Sequence, residues 1–472
     1  MSTTLAATAP PVSEPHPRRW AAAVVMMVAA LMDLLDVTIV NVAIPSVGRD
    51  LHASQSALQW LVSAYLLGFA ATLILAGHLG DRVGRRFLFL AGTAGFGLAS
   101  LGCGLAQSPG QLIAARAVQG VAAAVLMPQV LGSFRTLFQG KERGAAFGMY
   151  GAVAGFASAV GLLLGGVLTD ADLFGWGWRS VFLVNVPIAA ATLVAGFVLV
   201  PATRERSAGR PDVLGSALLA GGLVAIVLPL VQGRGNGWPL WGWICLAAGV
   251  LAVGGLGVYE ARRHTSVTVP LLPVRAFRLP AFSVGVLVQL LFSVGMQGFF
   301  LVFAIWLQGG EGYTPTQAGV LTVAFSAGSF LTAPAADGLA VKFGRLVLGL
   351  GALLMAGGFG WIWAAVAGAW PLVPGLVLAG AGLGFLVVPL VNVVLSAVPG
   401  ELAGAASGIF STAQQFGGAL GAAVIGSVFF GRASHGLTGA LTSAMPWVLA
   451  GFVLCAGLCA ALPRSAVAAY EA

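Results

Sequence analysis

Charge is what this chain has least of. Only 8% of its residues are Asp, Glu, Lys or Arg and 58% are hydrophobic, with a mean hydropathy of +0.96, whereas soluble domains carry about 25% charged residues. Such scarcity excludes a soluble globular protein and points to a chain folded in lipid. Cysteine is nearly as rare. Cys103, Cys245, Cys455 and Cys459 all lie in apolar runs and lack the paired spacing of a metal site, so they read as small packing residues. The five histidines, His16, His52, His78, His264 and His435, are scattered over the tail and the connections and form no ligand cluster. No G-x-x-x-x-G-K-[ST] segment is present, which excludes ATP bound through that motif as the energy source. Neither a nucleophile with its base nor a paired metal site stands out. No catalytic residue and no metal ligand is therefore predicted, and an enzyme is disfavoured.

What the chain does have is glycine, 68 residues of it, and long apolar runs. A helix that crosses a lipid core about 30 Å thick needs about 20 mostly apolar residues. Fourteen such runs can be counted between residues 20 and 462, separated by turn chemistry such as "AQSPG" at 106–110 and "QGGEGYTP" at 308–315. The predicted class is an all-α polytopic membrane protein. Residues 1–17, rich in Pro, Ala, Ser and Thr, read as a disordered cytoplasmic tail. Arg18 and Arg19 before the first run resemble an export signal, yet no cleavage site closes that run, so it reads as a retained helix.

Orientation follows from the basic residues. With the N-terminus inside, eighteen of them fall on cytoplasmic segments, among them Arg82, Arg85, Arg86, Arg204, Arg206, Arg210, Arg263 and Arg464, and only Arg49, Arg179, Arg234 and Arg432 fall outside. Both termini are therefore expected to be cytoplasmic, in the plasma membrane. The basic residues are spread over short connections without interleaved aromatics, so no nucleic-acid partner is expected. The expected partners are the lipid bilayer, a small-molecule substrate and protons, with a monomer as the functional unit.

A repeat is visible. "GHLGDRVGRR" at 77–86 links the second and third runs, and "DGLAVKFGRL" at 337–346 links the tenth and eleventh. Two six-helix bundles result, residues 18–200 and 280–463, with linkers and an inserted seventh and eighth helix at 201–279 and a short cytoplasmic tail at 464–472. Two related halves around a midplane site is the architecture of a secondary transporter.

Several segments resemble one family. "GHLGDRVGRR" resembles the basic loop of the major facilitator superfamily, and "LLDVTIVNVAIP" at 34–45 resembles the first-helix signature of its fourteen-helix drug/proton antiporters, the EmrB/QacA type. "LIAARAVQGVAAAVLMP" at 112–128 is similar to the family's fourth-helix motif, with Arg116 and the Gln119–Gly120 pair; "WRSVFLVNVP" at 178–187 and "AQQFGGALGAAVIG" at 413–426 also fit. The resemblance implies alternating-access export driven by proton entry, with no cofactor and the proton gradient as energy source. It also implies that Gly77, Gly80, Asp81, Arg82, Gly84, Arg85 and Arg86 form a cytoplasmic gate latch. Two departures stand out. In the fifth helix "GLLLGG" at 161–166 keeps Gly161, Gly165 and Gly166 but places Leu162 where antiporters carry proline, and Val341 replaces the acid of the second basic loop.

Within "LMDLLDVTIV" at 31–40, Asp33 and Asp36 are three residues apart and share a helix face. A lone carboxylate at mid-membrane costs about 2.5–3.5 kcal/mol, so it needs a partner or a wet cavity. Arg116 is the one basic side chain deep in a span. Helix rise places Asp36 roughly 12 Å and Arg116 roughly 8 Å below the outer ends of their runs, within reach of one another. These three residues are the predicted proton-coupling and substrate site. The C-terminal half holds amides and aromatics instead, with Asp337 as its only boundary acid. Gln119, Gln297, Phe300, Asn392, Gln414 and Gln415 are candidates to line the cavity, and Gln289, Phe292, Phe299, Phe303 and Trp306 are either lining or packing groups. The expected function is proton-coupled efflux of drugs, antibiotics or similar amphipathic molecules. A dedicated exporter of one metabolite, such as an amino acid or a siderophore, and a uniporter or importer are the alternatives.

Overall fold

The computed structural model describes residues 16–202, 212–233, 237–262, 275–368, 371–399 and 402–462. Both predicted tails beyond these limits, Arg204, Arg206, Arg210, Arg234, Arg263, His264 and Arg464 lie outside the described residues, as does the side chain of Asp337. Fourteen helices among the described residues are long and apolar enough to cross a membrane. They are α1 (Arg19–Asp50), α2 (Gln55–Val83), α3 (Arg85–Gly104), α4 (Pro109–Leu137), α5 (Gly140–Asp170), α6 (Gly177–Leu199), α7 (Val213–Gln232), α8 (Leu240–Arg262), α9 (Pro280–Gly309), α10 (Pro315–Phe343), α11 (Arg345–Gly368), α12 (Val373–Ser396), α13 (Ala403–Phe430) and α14 (Leu437–Cys459).

Several helices are longer than their apolar runs. α1 continues through Pro45 to Asp50. α14 starts at Leu437, whereas hydropathy alone places its start near residue 444, because its polar first turns are satisfied internally. Thr442 and Ser443 return their hydroxyls to the Gly439 carbonyl, and Thr438 accepts from the Trp306 indole. α6 is broken at Val184 between Ser180–Leu183 and Asn185–Leu199. Pro187, three residues on, has no N–H to return to the Leu183 carbonyl.

The basic segment after the second run turns out to be mostly helix. α2 runs through Val83, so Gly77, Gly80, Asp81 and Arg82 lie on its last turns and the reversal is confined to Gly84. Gly84 has φ 121° and its counterpart Gly344 φ 56°, conformations that a side chain disfavours.

The two halves repeat one another at a spacing of 260 residues. A Cβ at Gly120 of α4 falls 2.0 Å from the Tyr65 carbonyl oxygen of α2, and at Gly380 of α12 it falls 1.8 Å from that of Phe325 in α10. Backbone therefore touches backbone at matched places, the close approach that small residues permit in lipid. α7 and α8 pack on each other, and α7 lies against α2 and α13, where Ser427 donates to the Leu230 carbonyl at 2.9 Å. Asp212 caps α7 by accepting the Gly215 N–H at 2.9 Å.

The halves meet along two seams, α2 with α13 and α5 with α10. Both are tight on the face opposite the α2–α3 turn. There Asp170 at the end of α5 accepts the Thr316 N–H of α10 at 2.8 Å. Nearby, Gln308 of α9 donates to the Val42 carbonyl of α1 at 2.8 Å. Deeper in, Ser326 donates to the Ser158 carbonyl at 3.2 Å and Gln297 to the Asn41 side chain at 3.0 Å. Toward the turn face the α5–α10 seam parts. Gly155 still meets Phe330, but on the same face of α5 a Cβ at Gly151, Gly148 or Gly144 would meet nothing within 4 Å. On that face the α5–α10 seam is open at these glycines, whereas the α2–α13 seam stays in contact through Ile74 and Gly408.

Candidate functional site

The centre of the N-terminal half is a buried polar network in otherwise apolar surroundings. Asp36, midway along α1, is 0% exposed and Arg116 of α4 is 2% exposed. They form an ion pair at 2.5 Å. The other Asp36 oxygen accepts from Gln119 and from Asn185, each at 2.9 Å. Arg116 also donates to Gln119 Oε1 at 2.6 Å and, through Nε, to the Leu61 carbonyl at 3.3 Å. Its guanidinium lies 4.3 Å from the centre of the Tyr65 ring and 5.7 Å from that of Phe182. Gln119 completes its own bonding to Ser100 at 2.9 Å. Burying two charges in lipid is favourable only when they are paired and further bonded; here both Asp36 oxygens are engaged and Arg116 is held by Asp36, Gln119, the Leu61 carbonyl and the Tyr65 ring.

One turn away, Asp33 is 3% exposed and has a different environment. It accepts the Tyr65 hydroxyl at 2.5 Å and, among the described residues, lacks a basic partner in direct contact. The two carboxylates of α1 are therefore inequivalent. Asp36 is fixed by one cation and two amides, whereas Asp33 is held by a single neutral donor.

The predicted site residues fall into three groups. Asp33, Asp36, Arg116 and Gln119 come together, with Gln119 fully buried in the network and not on a cavity wall. Gln297 reaches across to Asn41, and Phe300 meets Phe325 edge-on at 5.3 Å. Gln414 is exposed and Gln415 half-buried on α13, one turn from Gly418, which faces Leu66 and Gln297. Asn392 is exposed near the end of α12 and is engaged by a partner. Phe299 and Phe303 stack at 4.8 Å, and Phe359 stacks on Phe452 at 5.1 Å. With Phe292 and Trp306 they are packing groups of the C-terminal half.

At the α2–α3 turn Asp81 pairs with Arg85 at 2.6 Å. The Arg85 guanidinium lies over Gly132 of α4, and Gly80 packs against the Gln129 amide. Arg86 donates to the Phe197 carbonyl and sits 5.4 Å from that ring. Arg82 is exposed and Gly77 faces Pro128. In the repeat, Arg345 takes the place of Arg85 and donates to the Ala460 and Leu462 carbonyls at 2.5 and 3.2 Å. A cation at the end of α14 suits the negative end of that helix. In α5, Gly161 and Gly165 receive Thr38 and Ile39 of α1, and Gly166 receives Pro315 of α10. The helix runs unbroken past Leu162.

Tyr65, Asn185, Ser100 and Gln129 are not legible as site residues from the sequence. Asn185 lies within "WRSVFLVNVP", two residues before Pro187, and a polar residue at that helix break is the available signal.

Comparison with known proteins agrees with this architecture. The chain is 40% identical over 435 residues to the probable actinorhodin transporter of Streptomyces coelicolor, covering 88% of this chain and 73% of that one. It is 40% identical over 451 residues to the puromycin resistance protein of Streptomyces alboniger, covering 91% and 86%. It is 35% identical over 434 residues to the tetracenomycin C resistance and export protein of Streptomyces glaucescens, covering 89% and 78%. Among solved structures, a D-xylose–proton symporter shares the fold with a TM-score of 0.67 at 16% identity, over 94% of this chain and 98% of that one. Residues 26–422 and 286–470 match the Major Facilitator Superfamily. With fourteen helices of spanning length among its described residues, two repeated halves and a buried ion pair between its first and fourth helices, this chain belongs to the Major Facilitator Superfamily and resembles its fourteen-helix drug/proton antiporters.

Proposed function

We propose that the protein is a proton-driven exporter of amphipathic, antibiotic-like small molecules, working as a monomer in the plasma membrane with both termini cytoplasmic. The observation that carries this reading is the pair of unlike carboxylates on one face of α1, one fixed by Arg116 and one held only by Tyr65. Antiport requires a charge that a proton or a substrate can neutralise in turn, at a depth reached from alternating sides. Asp36 and Arg116 form the central pair, and Asp33 is the second proton site or the group that selects cations. With the α2–α3 turn cytoplasmic, as the positive-inside rule requires, the gap in the α5–α10 seam faces inward and the contacts at Asp170, Gln308 and Gln297 close the outer side. The Asp81–Arg85 turn is the inner latch. The relatives named for antibiotic transport and resistance support this substrate class. No cofactor takes part.

Efflux of ethidium, puromycin and a neutral and an anionic antibiotic from cells lacking their own pumps, with and without a protonophore, tests the reading. Proton coupling predicts that the protonophore stops efflux. Asp36→Asn should abolish it, and Asp33→Asn should weaken export of cations more than of neutral compounds. Protonophore-insensitive efflux removes antiport. A protein that exports none of the panel is better read as a single-metabolite exporter.

A further inference from the structure

We infer that Tyr65 of α2 is a positioning residue that links the two carboxylates of α1, so that occupancy of Asp33 is transmitted to the Arg116–Asp36 pair. This rests on the antiport reading and names the part that couples its two charges. The geometry places one rigid side chain between two sites. The Tyr65 hydroxyl donates to Asp33 at 2.5 Å, while the face of the same ring carries the Arg116 guanidinium at 4.3 Å. Arg116 in turn holds Asp36 at 2.5 Å. Tyr65 is 1% exposed, and the contact of its backbone with Gly120 leaves α2 no room to shift there. A change at the hydroxyl then reaches Arg116 through the ring and not through a shift of α2.

The repeat separates the two roles of the side chain. Phe325, 260 residues later, occupies the same backbone seat against Gly380. The fold thus asks for an aromatic ring at this place in both halves, and the hydroxyl is an addition confined to the half that carries Asp33 and Asp36. The other titratable groups around it are few. Asp33 and Asp36 face it from α1 and Arg116 from α4. The Asp33 charge also reaches Tyr150 of α5, and Cys103 of α3 touches Gln119 at 3.7 Å.

With Asp33 ionised, the hydroxyl points at it and the ring lies across the guanidinium. A proton settling on the Asp33 oxygen that the hydroxyl faces turns it from a charged acceptor into an O–H donor and leaves only a neutral carbonyl, a weaker acceptor, while Tyr65 and Arg116 keep their own protons. A cationic substrate group seated on Asp33 displaces the hydroxyl in the same way. Either event frees the ring to turn from Arg116, whose attraction to an aromatic face is strongest when desolvated, and so loosens its hold on Asp36.

The test is Tyr65→Phe in proteoliposomes, with ethidium as probe and an imposed pH gradient. A hydrogen bond to a charged group favours the ionised carboxylate by about tenfold or more. The expected result is efflux about tenfold slower, with its half-maximal pH moved about one unit to the alkaline side. In an Asp33→Asn background the same substitution should add nothing. Infrared difference spectra on acidifying the unmodified protein should also show a tyrosine C–O band that Asp33→Asn removes, a readout that does not depend on the variant at residue 65 folding. A wild-type pH profile and rate for Tyr65→Phe, a full further loss in the Asp33→Asn background, or no tyrosine band would each overturn the inference. A parent protein whose efflux ignores the pH gradient would instead overturn the antiport reading beneath it.

Discussion

Arg116→Met is the most informative single perturbation of this protein. It removes the only cation among the described residues in contact with Asp36 and leaves that carboxylate, 0% exposed, with Gln119 and Asn185 as its remaining donors. Unit charges about 4 Å apart at an effective dielectric constant near 20 attract by about 4 kcal/mol, and breaking one side of a buried pair typically costs about 3–5 kcal/mol. The lost contact with the Tyr65 ring works in the same direction. If most of that loss appears in the unfolding rate, the half-life for thermal inactivation in detergent should shorten by about two to three orders of magnitude, at about 1.4 kcal/mol per tenfold. Asp36→Asn added to Arg116→Met should recover nearly all of it, because the asparagine carbonyl still accepts from Gln119 and Asn185 and no bare charge remains. Transport driven by a pH gradient should not return. A double variant as labile as Arg116→Met alone would show that the pair is not what the single change disturbs. A double variant that still pumps against the gradient would place the coupling charge elsewhere.

Three further outcomes are expected. Asp81→Asn, which breaks the contact with Arg85, should lower efflux severalfold while leaving the amount of folded protein near normal, since the lost pair is partly exposed; unchanged efflux would reduce this turn to a topology signal. Gly165→Val should slow transport severely or prevent folding, because a Cβ there already lies 2.7 Å from the Ile39 carbonyl oxygen; growth on antibiotic and detergent yield read out the two effects. A cysteine placed at Trp238, on the α7–α8 connection, should react with an impermeant maleimide from outside intact cells, and labelling only after lysis would mean that α7 and α8 do not cross.

The spans and the central charges are legible in the sequence because lipid makes both expensive to disguise. Water penalises an apolar run of spanning length and lipid penalises a carboxylate inside it, so α1 to α14, Asp33, Asp36 and Arg116 can be read directly. Neutral polar groups give no such signal. Tyr65 and Asn185 sit in apolar helices where an aromatic ring or an amide is ordinarily a packing group, and only the three-dimensional approach of α2 and α6 to α1 gives them their partners. Gln119 reads as a wall residue for the same reason. The glycines of the basic segment read as turn residues, yet the helix continues through Gly77 and Gly80, and only Gly84 adopts the backbone that needs glycine.

Between their few hydrogen bonds, the seams between the halves meet repeatedly at glycine. Gly166 lies on the backbone of Pro315, Gly319 on that of Leu162, and Gly408 and Gly418 meet Ile74 and Leu66. Surfaces of this kind resemble a smooth bearing more than a zipper: when one half rocks against the other, few side chains must be unthreaded before the next contact forms, and friction along the path stays low. Enlarging these positions should consequently slow the turnover cycle before it weakens the grip on whatever is carried.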